Sequence, residues 1–259
     1  MRYLFLNIIF LFVLSFLAPA SFAADANRTD WQFDVAPYLW AINMDGSVTQ
    51  GPLTTHISED FSQLMRQFDG GGMLWLDAYK GPLGFFINGL YSDLNDNNNN
   101  GTFDADLKTH FGIVSGGVSY IVFQRPWASQ HLNGQIQFEP YLGARYTFNN
   151  VNISYNHLKD TSDHGWTDII IGLRYRNDFN THWVITLSGD VGGKNTSTQY
   201  SYNLIGLVGY KPTHPAFDNY TLYIGYRYLY QHEESGEGLD FFEWRMKLFG
   251  PMVGINFSF

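Results

Sequence analysis

In the last nine residues, Pro251 to Phe259, apolar side chains fall at 253, 255, 257 and 259, and small or polar ones at 254, 256 and 258. Neighbouring side chains of a strand point to opposite faces, so this segment reads as a strand with one apolar and one wet face. The same alternation, bounded by turn residues, recurs along the chain. It gives runs at Trp31–Asn43, Gly71–Lys80, Leu83–Leu94, Thr102–Phe123, Gln135–Tyr155, Trp166–Asp178, His182–Val191, Thr198–Tyr210, Tyr220–His232 and Asp240–Phe259. Ten is an even count, which returns both ends of the chain to one side, as an up-and-down barrel requires. Lys80-Gly81-Pro82 and Asn177–Thr181 read as short turns, with Gln124–Gly134 and Lys211–Asn219 as longer ones on the same side. Asn95–Gly101, Asn156–Gly165 and Glu233–Leu239 read as polar loops on the other side. Residues 44–70 read as a long first external loop, with a strand-like Thr54–Ser58 and a short helix near Asp60–Phe68. Pairing of Gly46–Ser58 with the first strand would raise the count to twelve; the pattern allows eight to twelve.

Sorting each run by parity assigns chemistry to the two faces. In Gln135–Phe148, residues Ile136, Phe138, Pro140, Leu142, Ala144, Tyr146 and Phe148 face outward, and Gln137, Glu139, Tyr141, Gly143 and Arg145 face inward. In Asp168–Arg176, Ile169, Ile171, Leu173 and Tyr175 face outward, with Asp168, Arg174 and Arg176 inside. Asp34, Tyr38, Trp40, Asp77 and Arg227 also fall inside. The last run breaks parity, since Phe242 to Leu248 and Val253 to Phe259 place their apolar residues on opposite faces. A β-bulge at Gly250-Pro251 would repair this and turn Glu243, Arg245 and Lys247 inward. The expected lumen network is therefore Asp34, Asp77, Glu139, Arg145, Asp168, Arg174, Arg176, Arg227, Glu243 and Arg245.

Composition narrows the class. Aromatic residues are 18% of the chain and charged ones 15%, with 22 Phe, 17 Tyr and 7 Trp. That content suits a β-sandwich or a membrane barrel with aromatic girdles. The first residues decide between them: Arg2, an apolar run from Leu4 to Leu17, then Ser21 and Ala23 around a cut before Ala24 read as a cleaved signal peptide over 1–23. The apolar run is shorter than the ~20 residues of a spanning helix. The expected product is a single barrel domain, 24–259, in a Gram-negative outer membrane, closed by hydrogen bonds rather than disulfides, since the chain has no Cys. Loss of Arg2 leaves 14 basic against 24 acidic side chains, a formal charge of −10, with no basic cluster for nucleic acid.

Catalytic and metal motifs are sparse. The 8 His residues are scattered, and the chain has no nucleophile elbow. His182 and Ser188 are six residues apart, roughly 20 Å along a strand and too far for proton transfer. His157, His164, His214 and His232 lack paired ligand spacing, and Asp104, Asp106, Asp160 and Asp163 lack the spacing of a calcium loop. The reading is a chain without catalytic residues, cofactor or metal.

The motifs Trp31-Gln-Phe-Asp-Val-Ala-Pro-Tyr-Leu-Trp40 with Asp45-Gly46, and Gly250-Pro251-Met-Val-Gly254 with terminal Phe259, resemble a group of proteobacterial outer-membrane barrels. In architecture the group is similar to the small OmpA-type and OmpW-type barrels. The resemblance implies fold and location and no particular activity. It implies outer-membrane lipids and lipopolysaccharide as surroundings, and the barrel-assembly machinery as partner of the last strand through Phe257 and Phe259. For function, the expectation is a narrow pore or binding barrel for small solutes. The alternatives are a structural or adhesive envelope protein and a membrane-embedded lipid-modifying enzyme. At ten strands the lumen is barely wider than its own side chains, so a filled or very narrow interior fits better than an open channel.

Overall fold

A computed structural model of the chain describes residues 30–99, 104–128, 133–155, 158–179, 182–195, 199–212 and 219–259. The expected signal peptide, with the first residues after the cut, lies outside them. The alternating segments form β1 (Trp31–Trp40), β2 (Asn43–Gln50), β3 (Leu53–Glu59), helix α1 (Phe61–Gln67), β4 (Phe68–Lys80), β5 (Leu83–Asn99) and β6 (Asp104–Tyr120). There follow β7 (Phe123–Ala128), β8 (Asn133–Tyr155), β9 (Leu158–Asp178), β10 (Trp183–Asn195), β11 (Gln199–Tyr210), β12 (Tyr220–Ser235) and β13 (Phe242–Ser258). Ten of them, β1, β4, β5, β6 and β8 to β13, pair antiparallel in that order, and β13 returns to pair β1. Phe33 N–H donates to the Phe259 carbonyl at 3.1 Å, and Phe259 N–H to the Phe33 carbonyl at 2.8 Å. The ring closes on the two ends of the barrel domain, which lie at one end of the barrel. Closure leaves no sheet edge there for another chain to extend.

Residues 44–70 form regular structure where a loop was expected. β2 continues β1 along β13 in unbroken register, from Trp40↔Met252 to Asn43↔Phe249, and folds back as β3. Gly51, with φ of 54°, makes the turn, and the Thr49 and Thr54 hydroxyls meet across the pair at 3.0 Å. Asp60 then caps α1: its carboxylate accepts from Gln63 N–H at 2.9 Å, and the Gln63 side chain accepts from Asp60 N–H at 2.8 Å. The Ser62 hydroxyl and the Gln63 amide hold the Asp60 carboxyl below its ordinary range. The hairpin pairs only with β13, so it extends the wall beyond the ten-stranded ring without adding strands to it. Residues Asn95–Asn99 and Leu158–Gly165, expected as loops, continue strands β5 and β9 at the end of the barrel away from the termini. At the opposite end, the long turn near Gln124 holds the extra strand β7, paired with the start of β8.

Parity divides the wall as the alternation requires. Ile87, Leu142, Ile169, Ile171, Leu173, Leu204, Ile224 and Val253 stand exposed on the outside, a band of aliphatic side chains that suits lipid. Trp31, Phe33, Phe85, Tyr91, Tyr146, Trp183, Tyr210 and Tyr226 are exposed on the same outer face.

β13 corrects the expected bulge. It pairs with β12 residue for residue from Tyr220↔Phe257 to Ser235↔Phe242, with no shift at Gly250-Pro251. Phe242, Trp244, Met246, Leu248 and Met252 therefore point inward and are buried, and Glu243, Arg245 and Lys247 lie on the outer face. The reason is in the lumen, whose half farther from the termini holds a large apolar cluster beside a few buried polar groups. There Trp40, Leu90, Phe111, Ile113, Trp166 and Leu229 pack on the buried side chains of β13 as one core. The apolar face of the strand turns in to meet that core, and its charges take the outer face. Nearer the terminus Val253, Ile255, Phe257 and Phe259 face outward, because there the lumen is polar.

Candidate functional site in the barrel lumen

Beneath the apolar core lies a layer of buried polar side chains. Arg145, 1% exposed, donates to Asp190 Oδ1 at 2.5 Å, to Ser115 Oγ at 3.3 Å and to Ser201 Oγ at 3.2 Å. Asp190 Oδ2 accepts from Tyr141 Oη at 3.0 Å and from Asn203 Nδ2 at 2.9 Å. Arg227, also 1% exposed, donates to Asn203 Oδ1 at 2.9 Å and Asn88 Oδ1 at 3.2 Å, and its guanidinium lies 4.6 Å from the Trp40 ring centroid. Seven strands, β1, β5, β6, β8, β10, β11 and β12, contribute these groups, and each is placed by parity alone. Arg145 thus pairs directly with the carboxylate, whereas Arg227 reaches it only through Asn203 and is otherwise held by neutral acceptors and a ring face. The remaining void in this layer is about 20 Å³, room for about one water.

Toward the terminal end the lumen opens into a cup of about 350 Å³. Arg174 crosses its floor, donating to Asp77 Oδ1 at 3.2 Å, Tyr79 Oη at 2.7 Å and Glu139 Oε1 at 3.5 Å, with its guanidinium 5.3 Å from the Trp75 ring centroid. Tyr79 Oη in turn donates to Glu139 Oε1 at 3.1 Å. At the rim Asp178 accepts from Arg176 at 3.4 Å and Lys211 at 3.0 Å, and Asp34 accepts from Ser258 Oγ at 2.5 Å and Asn256 Nδ2 at 3.2 Å. The lining carries five carboxylates (Asp30, Asp34, Asp77, Glu139, Asp178) against two guanidiniums, with Tyr38, Trp75, Tyr79 and Tyr223 among its aromatic walls.

The structure places the expected lumen residues in four groups. Asp34, Asp77, Glu139, Arg174 and Arg176 line the cup, and Arg145 and Arg227 belong to the layer above it. Asp168 lies inside and directly opposite Arg145 in the strand register, yet Arg145 reaches Asp190 instead, and Asp168 accepts from Gln199 Nε2 at 3.2 Å. Glu243 and Arg245 are on the other face of the wall and pair with each other. Sequence reading missed Asp190 and Asn203, the hinge of the buried layer. Sorting β10 and β11 by parity would have found both, since Asp190 alternates with exposed Val191 and Asn203 with exposed Leu204.

No protein-family model matches the chain, and no curated protein matches it in sequence. Solved outer-membrane barrels resemble it in shape. The outer-membrane protease OmpT from Escherichia coli aligns with a TM-score of 0.49 at 8% identity, covering 93% of this chain and 99% of that one. Ail, the attachment invasion locus protein of Yersinia pestis, gives 0.36 at 11%, covering 88% and 98%. The Pseudomonas putida toluene transporter TodX gives 0.30 at 10%, covering 88% and 89%. Protease, attachment and transport stand side by side among these neighbours, and at such scores none of their roles transfers.

Proposed function

We propose that this protein is an outer-membrane β-barrel that binds a small solute bearing a cationic group in a blind cup open to the periplasm, and that it does not conduct through its lumen. The observation that carries the reading is the cup itself. Its volume falls within the range of ligand pockets, it has an acidic excess and aromatic walls, and it ends against a buried polar layer with an apolar core beyond. Such walls suit an ammonium or guanidinium group, which carboxylates attract and ring faces accept. The periplasmic side follows from the export signal read at the N-terminus and from both ends of the barrel domain lying at the cup. In the same reading Phe257 and Phe259 on the outer face of the last strand serve recognition by the assembly machinery, and lipid and lipopolysaccharide surround the apolar band. We also read the chain as a non-enzyme, because the sequence carries no nucleophile elbow and its histidines are scattered.

Two measurements on the refolded mature chain test this. A planar bilayer should stay electrically silent. Titration with benzyltrimethylammonium should saturably change tryptophan fluorescence through Trp75, benzenesulfonate should not, and Asp34→Asn should weaken the response. Discrete channel openings would overturn the blind-cup reading, and equal binding of both probes would overturn the cationic preference.

A further inference from the structure

On the outer face of the wall, beyond the aliphatic band, β12 and β13 set two glutamates directly opposite each other, Glu234↔Glu243. Like charges so placed repel. Between them stands His232, with Nε2 at 2.9 Å from Glu234 Oε1 and 3.3 Å from Glu243 Oε1. One donor atom from each of the three lies within 4.8 Å of the others. The imidazole is held in place: His232 is 5% exposed, and the Tyr200 ring packs edge-on against it at 5.1 Å between centroids. Its Nδ1 has no partner among the described residues. A rigid imidazole thus aims one nitrogen at the space between two facing carboxylates.

We propose that His232, Glu234 and Glu243 form a binding site for a divalent metal ion of the zinc class. One imidazole and two carboxylates are a borderline nitrogen and oxygen set, which suits zinc better than magnesium or calcium, ions that prefer all-oxygen shells. Three protein ligands leave the fourth position of a tetrahedral ion to water. Coordination at Nε2 requires the neutral imidazole with its proton on Nδ1, the nitrogen that makes no other bond here. The ion would neutralise the facing carboxylates and staple β12 to β13. The second Glu243 oxygen lies 3.4 Å from Thr49 Oγ1, so the staple would reach the β2 hairpin as well. Arg245 already pairs with Glu243 and is the competitor that a metal must displace. Linear spacing hides the site. His232-x-Glu234 puts two ligands on one face of a strand, but the third arrives from the neighbouring strand.

The test uses the full mature chain without an affinity tag, folded in detergent micelles, stripped with a chelator and titrated with Zn²⁺ alone by calorimetry. One saturable site per chain is expected. His232→Ala should weaken it about tenfold or more, Glu234→Gln should weaken it, and Arg245→Ala should strengthen it, and Mg²⁺ should not compete. His110→Ala should leave it unchanged, although His110 Nδ1 lies 2.5 Å from Asp93 Oδ1 elsewhere on the surface. Heat-modifiable gel mobility reports folding of each variant. If His232→Ala does not fold, the partly exposed Glu234 decides the matter. Absence of saturable zinc binding by the folded wild type, or binding unaltered by Glu234→Gln, overturns the proposal.

Discussion

Asp190→Asn is the sharpest probe of the lumen. The carboxylate faces the Arg145 guanidinium at 2.5 Å, and both side chains are nearly inaccessible, at 3% and 1% exposed. Arg227 is bound within the same layer to Asn203 and Asn88, with no ion pair of its own among the described residues. The substitution keeps the shape and one acceptor oxygen but leaves the buried Arg145 guanidinium without its paired carboxylate, in a layer that also holds the Arg227 charge. Removing one partner of a buried pair costs about 3–5 kcal/mol, and the loss of a well-placed acceptor for Tyr141 or Asn203 adds about 1 kcal/mol. A destabilisation near 4 kcal/mol is close to a thousandfold in the unfolding equilibrium. Urea unfolding in lipid vesicles, followed by tryptophan fluorescence, should register it as a lowered midpoint at unchanged slope. Because the charge left behind causes the loss, the double variant Arg145→Met/Asp190→Leu should recover about 1–3 kcal/mol relative to the sum of the single changes. A cost under about 1 kcal/mol with no recovery in the double variant would refute the reasoning. It would mean that water reaches the guanidinium through an open lumen.

Two further changes test the wall and the core. Leu173→Arg, on the aliphatic band at 45% exposed, should cost about 2–4 kcal/mol in vesicle refolding if it lies near the bilayer midplane; normal assembly would contradict the assignment of that face to lipid. Trp244→Ala removes a buried ring stacked on Phe111 at 6.1 Å and near Trp166 at 5.8 Å, so it should cost about 3–5 kcal/mol while the bilayer stays silent, because the polar layer beneath is untouched. Channel openings in that variant would show the apolar core to be the sole barrier.

The alternation was enough to find the ten ring strands and the faces of β1, β8 and β9, because through the middle of those segments one side of the sheet is apolar and the other polar. It was not enough where the environment changes partway along a strand. Residues 44–70 are mostly polar, so their hairpin shows little period-two contrast; it is held by turn geometry, by the Asp60 cap and by pairing with β13, none of which a hydrophobicity pattern records. Charge pairing was legible only as a population. Parity put Arg145 and Asp168 inside and the register sets them opposite, but the partner of Arg145 comes from Asp190 on β10, across the lumen. The wall fixes which side chains enter, and the reach of long side chains across the interior decides which of them meet.

The last strand shows how one sequence pattern supports two structures, and a pair of substitutions separates them. If outward residues of β13 are apolar throughout, a bulge is required; if the strand is regular, the lumen must change from polar to apolar along its length. The second holds in the structure, with Met246 fully buried in the apolar core and Lys247 half-exposed, 3.0 Å from Asp45 on β2. Met246→Lys would place an ammonium in the apolar cluster with Trp244, Trp40 and Leu248, and a buried charge without a ready partner costs several kcal/mol. Lys247→Met loses an exposed pair worth about 0–1 kcal/mol. The regular strand therefore predicts that the first variant fails to refold to the heat-modifiable form and the second refolds as the wild type does. A bulged strand predicts the opposite, since Met246 would meet lipid and Lys247 would belong to the interior network. Equal tolerance of both would mean that the outer half of the lumen is hydrated, and the apolar core would then not be the barrier that makes the cup blind.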